Sequence, residues 1–149
     1  MVTLARTHGD VDFIVTPELL ERFVAHAAAA APNECCGVGL GPTDEVLEFH
    51  ELDNVHETPV TRYEIAPADQ LRLFLQAEDQ GWDTTLVFHS HPATEPYPSA
   101  TDLALAGWPD ATYAILGLAG AEPLLRAYRI RDGVVTELTV SVDAPAAHS

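Results

Sequence analysis

Two histidines one residue apart, His89 and His91, end the apolar run Thr85-Leu86-Val87-Phe88, and a carboxylate, Asp102, lies eleven residues after the second. In extended backbone, side chains at i and i+2 leave the same face, so both imidazoles can reach one point. The proline-rich stretch from Pro92 to Pro98 can turn the chain and carry Asp102 back to them. Two imidazole nitrogens and a carboxylate oxygen form the donor set of a zinc site that does chemistry, with a fourth position left for water. The same donors take other divalent ions, so zinc is a preference. Core histidines bonded to backbone are the plainer reading. They suit a lone histidine at a strand end better than a spaced pair followed by a loop and a carboxylate.

Ser99-x-x-Asp102 has two meanings. It is a capping box, a serine at the helix N-cap with an acid three residues on. It also places Asp102 on the first turn of a helix, where it could face an ion. Both can hold at once, and the spacing alone does not choose between them. Thr94, Glu95 and Tyr97 lie in the intervening loop, where they either contact a substrate or only shape the turn.

The elements that must position these groups alternate between strand and helix. Asp12 to Val15 reads as a first strand. Thr16 offers an N-cap, Pro17 suits the first helical position and Glu18 the positive end of the dipole. Leu19, Leu20, Phe23, Val24 and Ala27 then form one helical stripe that Pro32 ends, with His26 at its boundary. Cys35 to Leu40, with glycines at 37, 39 and 41, reads as a buried strand approached closely by another backbone. Pro42-Thr43-Asp44 turns the chain into a return strand over Glu45 to Leu52. Asp53 to Arg62, flanked by His50 and containing His56, is a polar loop, either a plain linker or a wall for substrate. Tyr63 to Ile65 is briefly extended, and Pro67 opens a helix through Leu71, Phe74, Leu75 and Glu78 that stops at Gly81. Thr84 to Phe88 reads as a central strand buried on both faces. A short helix over Ser99 to Ala106 follows, then strands over 112–118, 124–130 and 134–142, the last two joined by the hairpin signal Asp132-Gly133. Asp143 to Ser149 reads as a loose tail.

At 149 residues the chain is expected to form one domain, 1–149, burying about 70% of its unfolded surface. Seven arginines, no lysine and 23 acidic residues give 7 − 23 = −16. That surface repels phosphate backbones and disfavours nucleic-acid binding. No apolar stretch approaches the roughly 20 residues of a membrane span, and the N-terminus lacks the apolar region of a secretory signal. A cytoplasmic location is therefore expected. Cys35 and Cys36 are neighbours facing opposite ways in a strand, which disfavours a mutual disulfide. Cys36 reads as a small buried apolar residue.

His89-Ser90-His91-Pro92, six residues, then Ser99-x-x-Asp102 resembles the signature of the JAMM (MPN+) metallopeptidases. Pro32-Asn33-Glu34-Cys35-Cys36-Gly37-Val38 is similar to the segment where that family carries its catalytic glutamate. The order of elements also matches over nearly the whole chain. Glu95-Pro96-Tyr97-Pro98-Ser99 and the short length look like the bacterial, Mec-like branch, which removes cysteine from the C-terminus of a ubiquitin-like sulfur-carrier protein. The resemblance implies an α/β fold with a mixed central sheet flanked by helices, like the cytidine-deaminase-type core. It implies zinc held by His89, His91 and Asp102, Glu34 as general base, and Ser99 as a hydroxyl that stabilises the oxyanion. For function it implies cysteine release from the Gly-Gly tail of a carrier. The alternatives are removal of ubiquitin-like modifiers from lysines and, from another class, a non-catalytic binding scaffold.

Overall fold

The computed structural model describes Thr3–Leu4 and residues 12–142. The tail expected over 143–149 lies outside the described residues. A two-residue β1 (Thr3–Leu4) precedes β2 (Asp12–Val15), and α1 (Pro17–Ala30) follows directly. Thr16 caps α1, its Oγ1 accepting the Leu19 N–H at 3.1 Å. Phe23 and Ala27 are buried, and Leu19, Leu20 and Val24 pack beside them, so the expected stripe is the one that faces the sheet.

β3 (Cys36–Gly41) and β4 (Glu48–Leu52) form an antiparallel pair, with Cys36 opposite Leu52. The return strand starts at Glu48, later than expected, because the turn runs on: Glu45 N–H donates to Pro42 O, and Leu47 N–H then reaches back to Leu40 O. At Gly37 a Cβ would lie 2.7 Å from the Phe49 ring and 2.8 Å from His50 O, so only glycine admits that approach.

α2 (Pro67–Gln80) stops at Gly81, whose φ of 71° is the left-handed cap. Its buried side is Leu73 and Ala77, while Leu71, Phe74 and Leu75 are each more than half exposed. The apolar residues of this helix cover a wider arc than the sheet edge beneath it, and the three that marked the helix in the sequence lie outside the contact. β5 (Asp83–His91) is longer than the apolar run and carries both histidines inside the strand. After α3 (Ala100–Leu105) come β6 (Thr112–Gly117), β7 (Leu124–Arg131) and β8 (Val134–Val142). Asp132 and Gly133, at φ 51° and 76°, make the tight β7–β8 turn.

The sheet order is β2-β8-β7-β6-β5-β3-β4, with β1 added beside β7. β5 pairs with β6 in parallel and with β3 antiparallel, so the sheet is mixed and β5 is central. Alternation along β5 assigns its residues to two layers. Leu86 and Phe88 join the cluster under α1, where the Phe23 and Phe88 rings stack at 4.2 Å. Val87 faces the other side, with Tyr113 and Ile115 and the partly buried Leu103 of α3. Cys36, Val38 and Leu40 share that second side beneath α2. Sequence parity places His89 and His91 with Val87, in the gap between α2 and α3.

Candidate metal centre

His89 and His91, both at the buried end of β5, bring Nε2 to Nε2 at 3.1 Å. Each Nε2 lies 3.2 Å from Asp102 Oδ2. Three donor atoms thus form a nearly equilateral triangle. Ligands about 2.0–2.1 Å from a tetrahedral zinc stand roughly 3.3 Å apart, so the triangle has the size of one face of that tetrahedron. Hydrogen bonding accounts for it poorly, since one N–H on each ring cannot lie along every side.

Asp102 reaches this point because Ser99 starts α3. Ser99 Oγ accepts the Asp102 N–H at 3.0 Å, and Asp102 Oδ2 accepts the Ser99 N–H at 2.9 Å, completing the capping box. Capping and facing the histidines therefore coexist. The Ser99 hydroxyl uses only an acceptor position in the cap and keeps its proton to donate. The loop before it is anchored to β6: a Cβ at Gly117 would sit 2.8 Å from Pro96. Glu95 accepts a hydrogen bond from His91 Nδ1 through its backbone oxygen at 2.8 Å, which turns Nε2 toward the triangle. Tyr97 stacks edge-on against Tyr128, and Thr94 and Glu95 line a separate cleft with Gly117 and Leu124.

Glu34 arrives by register. Cys36 pairs with His89 across β3–β5, and antiparallel pairing keeps the residue numbers summing to 125 (36 + 89), which sets residue 34 opposite residue 91. The pairing continues past the strand end, since Cys35 N–H donates to Ser90 Oγ at 2.8 Å and Ser90 N–H to Cys35 O at 3.2 Å. Glu34 is 6% exposed, its Oε1 has no hydrogen-bond partner, and ligand atoms of Glu34, His89 and His91 lie within 4.8 Å of one another.

The electrostatics separate the carboxylates. Burial pushes Glu34 up to about 7, against the pull of His91 and with a further push from Asp102. Burial also disfavours ionised Asp102, but hydrogen bonds from His89 and His91 outweigh it and hold that carboxyl well below its usual range. Burial drives His89 down, so its imidazole is neutral. For His91 burial also acts downward, but the Asp102 and Glu95 bonds raise it overall. An ionised carboxylate, neutral imidazole and a second carboxyl poised near neutrality are what a metal with an adjacent base requires.

Three further residues were not singled out from the sequence. Ser90, between the histidines, ties β5 to the Glu34 segment; its parity was the available signal. Tyr63 stacks on His89 at 4.5 Å, and Asn54 binds the loop that carries it. Nothing in the polar loop marks Asn54, nor does anything in the short extended segment after it mark Tyr63. The other histidines among the described residues stand apart: His26 Nε2 meets Cys36 O, His50 meets Glu48, and His56 Nδ1 accepts the Thr58 N–H. Both cysteines are free and buried on opposite sides of the sheet, with burial raising Cys35 to about 11 and Cys36 to about 12. A cavity of about 430 Å³ opens beside Asp102, walled by Arg62, Tyr63, Ile65, Leu105 and Trp108.

Residues 16–131 match the family model for prokaryotic homologues of the JAB domain. The chain belongs to that family and is a JAMM-type metallopeptidase. It is 38% identical over 132 residues to the CysO-cysteine peptidase of Mycobacterium tuberculosis, covering 87% of this chain and 90% of that one. With the desampylase of Haloferax volcanii it shares 34% over 119 residues, 78% and 84% of the two chains. A solution structure from Desulfitobacterium hafniense superposes with TM-score 0.76 at 31% identity, covering 99% and 97%. The JAB fold expected from the motif is thereby found, a mixed sheet with helices on both faces. No described helix is long and apolar enough to cross a membrane.

Proposed function

We propose that this JAB-family peptidase hydrolyses the amide after the C-terminal glycine of a ubiquitin-like sulfur-carrier protein and releases cysteine, a step in cysteine biosynthesis in the cytoplasm. One observation carries the site assignment: the donor triangle of His89, His91 and Asp102, with the unpartnered Oε1 of Glu34 beside it. In this reading His89, His91 and Asp102 hold one divalent ion, zinc by donor type. When bound, the ion polarises the scissile carbonyl and acidifies the attacking water. Glu34 takes the proton of that water and gives it to the departing amine, a task suited to a carboxyl near neutrality. The Ser99 hydroxyl donates to the oxygen on which negative charge develops. The carrier's tail enters along the cavity beside Asp102.

The likeness to the mycobacterial CysO-cysteine peptidase supports the cysteine substrate. The likeness to the desampylase keeps isopeptide cleavage at lysine as the second reading. A scaffold without catalysis has no use for a buried Glu34 at the donor triangle. Mass spectrometry of a carrier–cysteine fusion and of a lysine-linked conjugate, with and without chelator, separates these. Loss of one cysteine mass only from the fusion, stopped by chelator, is the expected result. Cleavage only of the conjugate transfers the assignment to the isopeptidase.

A further inference from the structure

Glu34 Oε1 has no hydrogen-bond partner, whereas the backbone that carries this carboxyl is bonded at both its N–H and its C=O. That backbone is gripped from both sides by a single loop. Glu34 N–H donates to Pro59 O at 2.7 Å, and Glu34 O accepts from Asn54 Nδ2 at 2.9 Å. The same Nδ2 donates to Arg62 O at 2.9 Å and, more distantly, to Pro59 O at 3.4 Å. Asn54 Oδ1 accepts the N–H groups of His56 and Glu64, each at 3.0 Å. One amide thus closes the loop on itself and fastens it to residue 34. The loop also carries Tyr63, stacked on His89, and the Arg62–Ile65 wall of the cavity beside Asp102.

We infer that Asn54 is the positioning residue for Glu34, with its amide donors holding the base's backbone to the loop that walls the substrate cavity. This rests on the reading of Glu34 as the base. The chemistry is specific to an amide: aspartate keeps the acceptor for His56 and Glu64 but has no donor for Glu34, and alanine loses both. Misplacing a proton-transfer group by about 1 Å costs about 10²-fold in rate.

The test combines Asn54→Asp and Asn54→Ala with Glu34→Gln. Each is followed by kcat and KM on the carrier–cysteine fusion, by zinc titration, and by amide hydrogen exchange over residues 33–36. Asn54→Asp should lower kcat 10- to 100-fold, with KM and zinc affinity within about threefold of the parent and faster exchange at 33–36. Added to Glu34→Gln, either Asn54 change should cost no further kcat, because the group it positions is already gone. Losses that multiply in the double variants, a change confined to KM, or unaltered exchange at 33–36 after Asn54→Asp would overturn the inference. Should Glu34→Gln alone turn over at the parent rate, the base assignment fails first and takes this one with it.

Discussion

Glu34 and Asp102 are two carboxyls beside the same pair of imidazoles, and their surroundings push them apart. Asp102 accepts hydrogen bonds from both rings and the Ser99 N–H and stays ionised; Glu34 Oε1 is buried without a partner and holds its proton to about pH 7. As general base, Glu34 should cost about 10²–10⁴ in rate when changed to alanine. Ser99→Ala should cost about 10²–10³ and also about 1 kcal/mol of stability, because the hydroxyl caps α3. Both variants should retain one divalent ion per chain by elemental analysis, and near-full peptidase activity in Glu34→Ala would remove the base. The sign of the linkage is fixed by the same burial. A folded pKa raised above the ordinary 4.5 means stability is fully present below pH 4.5 and declines as pH rises toward 7. In chelator-treated protein, Glu34→Gln should gain on the parent by about 3 kcal/mol between pH 4 and pH 8. Urea melts at the two pH values that give the same difference would contradict it.

At the scale of elements, the site depends on two junctions. The first is the β3–β5 register, which sets residue 34 across from residue 91 and is continued by the Cys35–Ser90 bonds. The second is the contact of the loop over residues 92–98 with β6, at Pro96 and Gly117. A methyl at Gly117 must displace the loop that delivers Asp102. Gly117→Ala should therefore lose about 1–3 kcal/mol of stability, as overpacking does, and bind zinc more weakly. Isothermal titration that finds parental zinc affinity in this variant would show that the loop is not held there. α2 contributes Leu73 and Ala77 to the core and leaves Phe74 outside, so exchanging Phe74 for serine should move stability little compared with the same change at Leu73.

For the whole molecule, the sheet divides the interior into an α1 side of closely packed phenylalanines and an opposite side where the site lies between α2 and α3. The cysteines report on both. With burial holding the thiols near 11 and 12, neither Cys35 nor Cys36 should react with a thiol reagent at pH 8 until the protein unfolds, and then both should. Rapid labelling of either in native protein would mean that its side of the sheet opens. An ion bound only by the folded state adds about 2.7 kcal/mol when present at 100 times its Kd, so chelation should lower the melting temperature reversibly.

The two histidines, the capping serine and the hairpin at Asp132-Gly133 were legible in the chain, because each acts within a strand, a helix turn or a short loop; for Asp102 the spacing left cap and ligand equally open, and the family motif made the choice. The α1 stripe was legible for the same reason: a 3.6-residue period is a local property. Glu34 was reached only through a family motif. Its neighbour in space is 57 residues away in sequence (91 − 34), and only strand register brings the two together. The tertiary structure likewise decided which arc of α2 is buried, that Tyr63 lies on His89, and that Asn54 ties the loop to residue 34. Local chemistry settles which groups can bind and which turns can form. Where two distant segments meet is decided by the packing of the whole sheet.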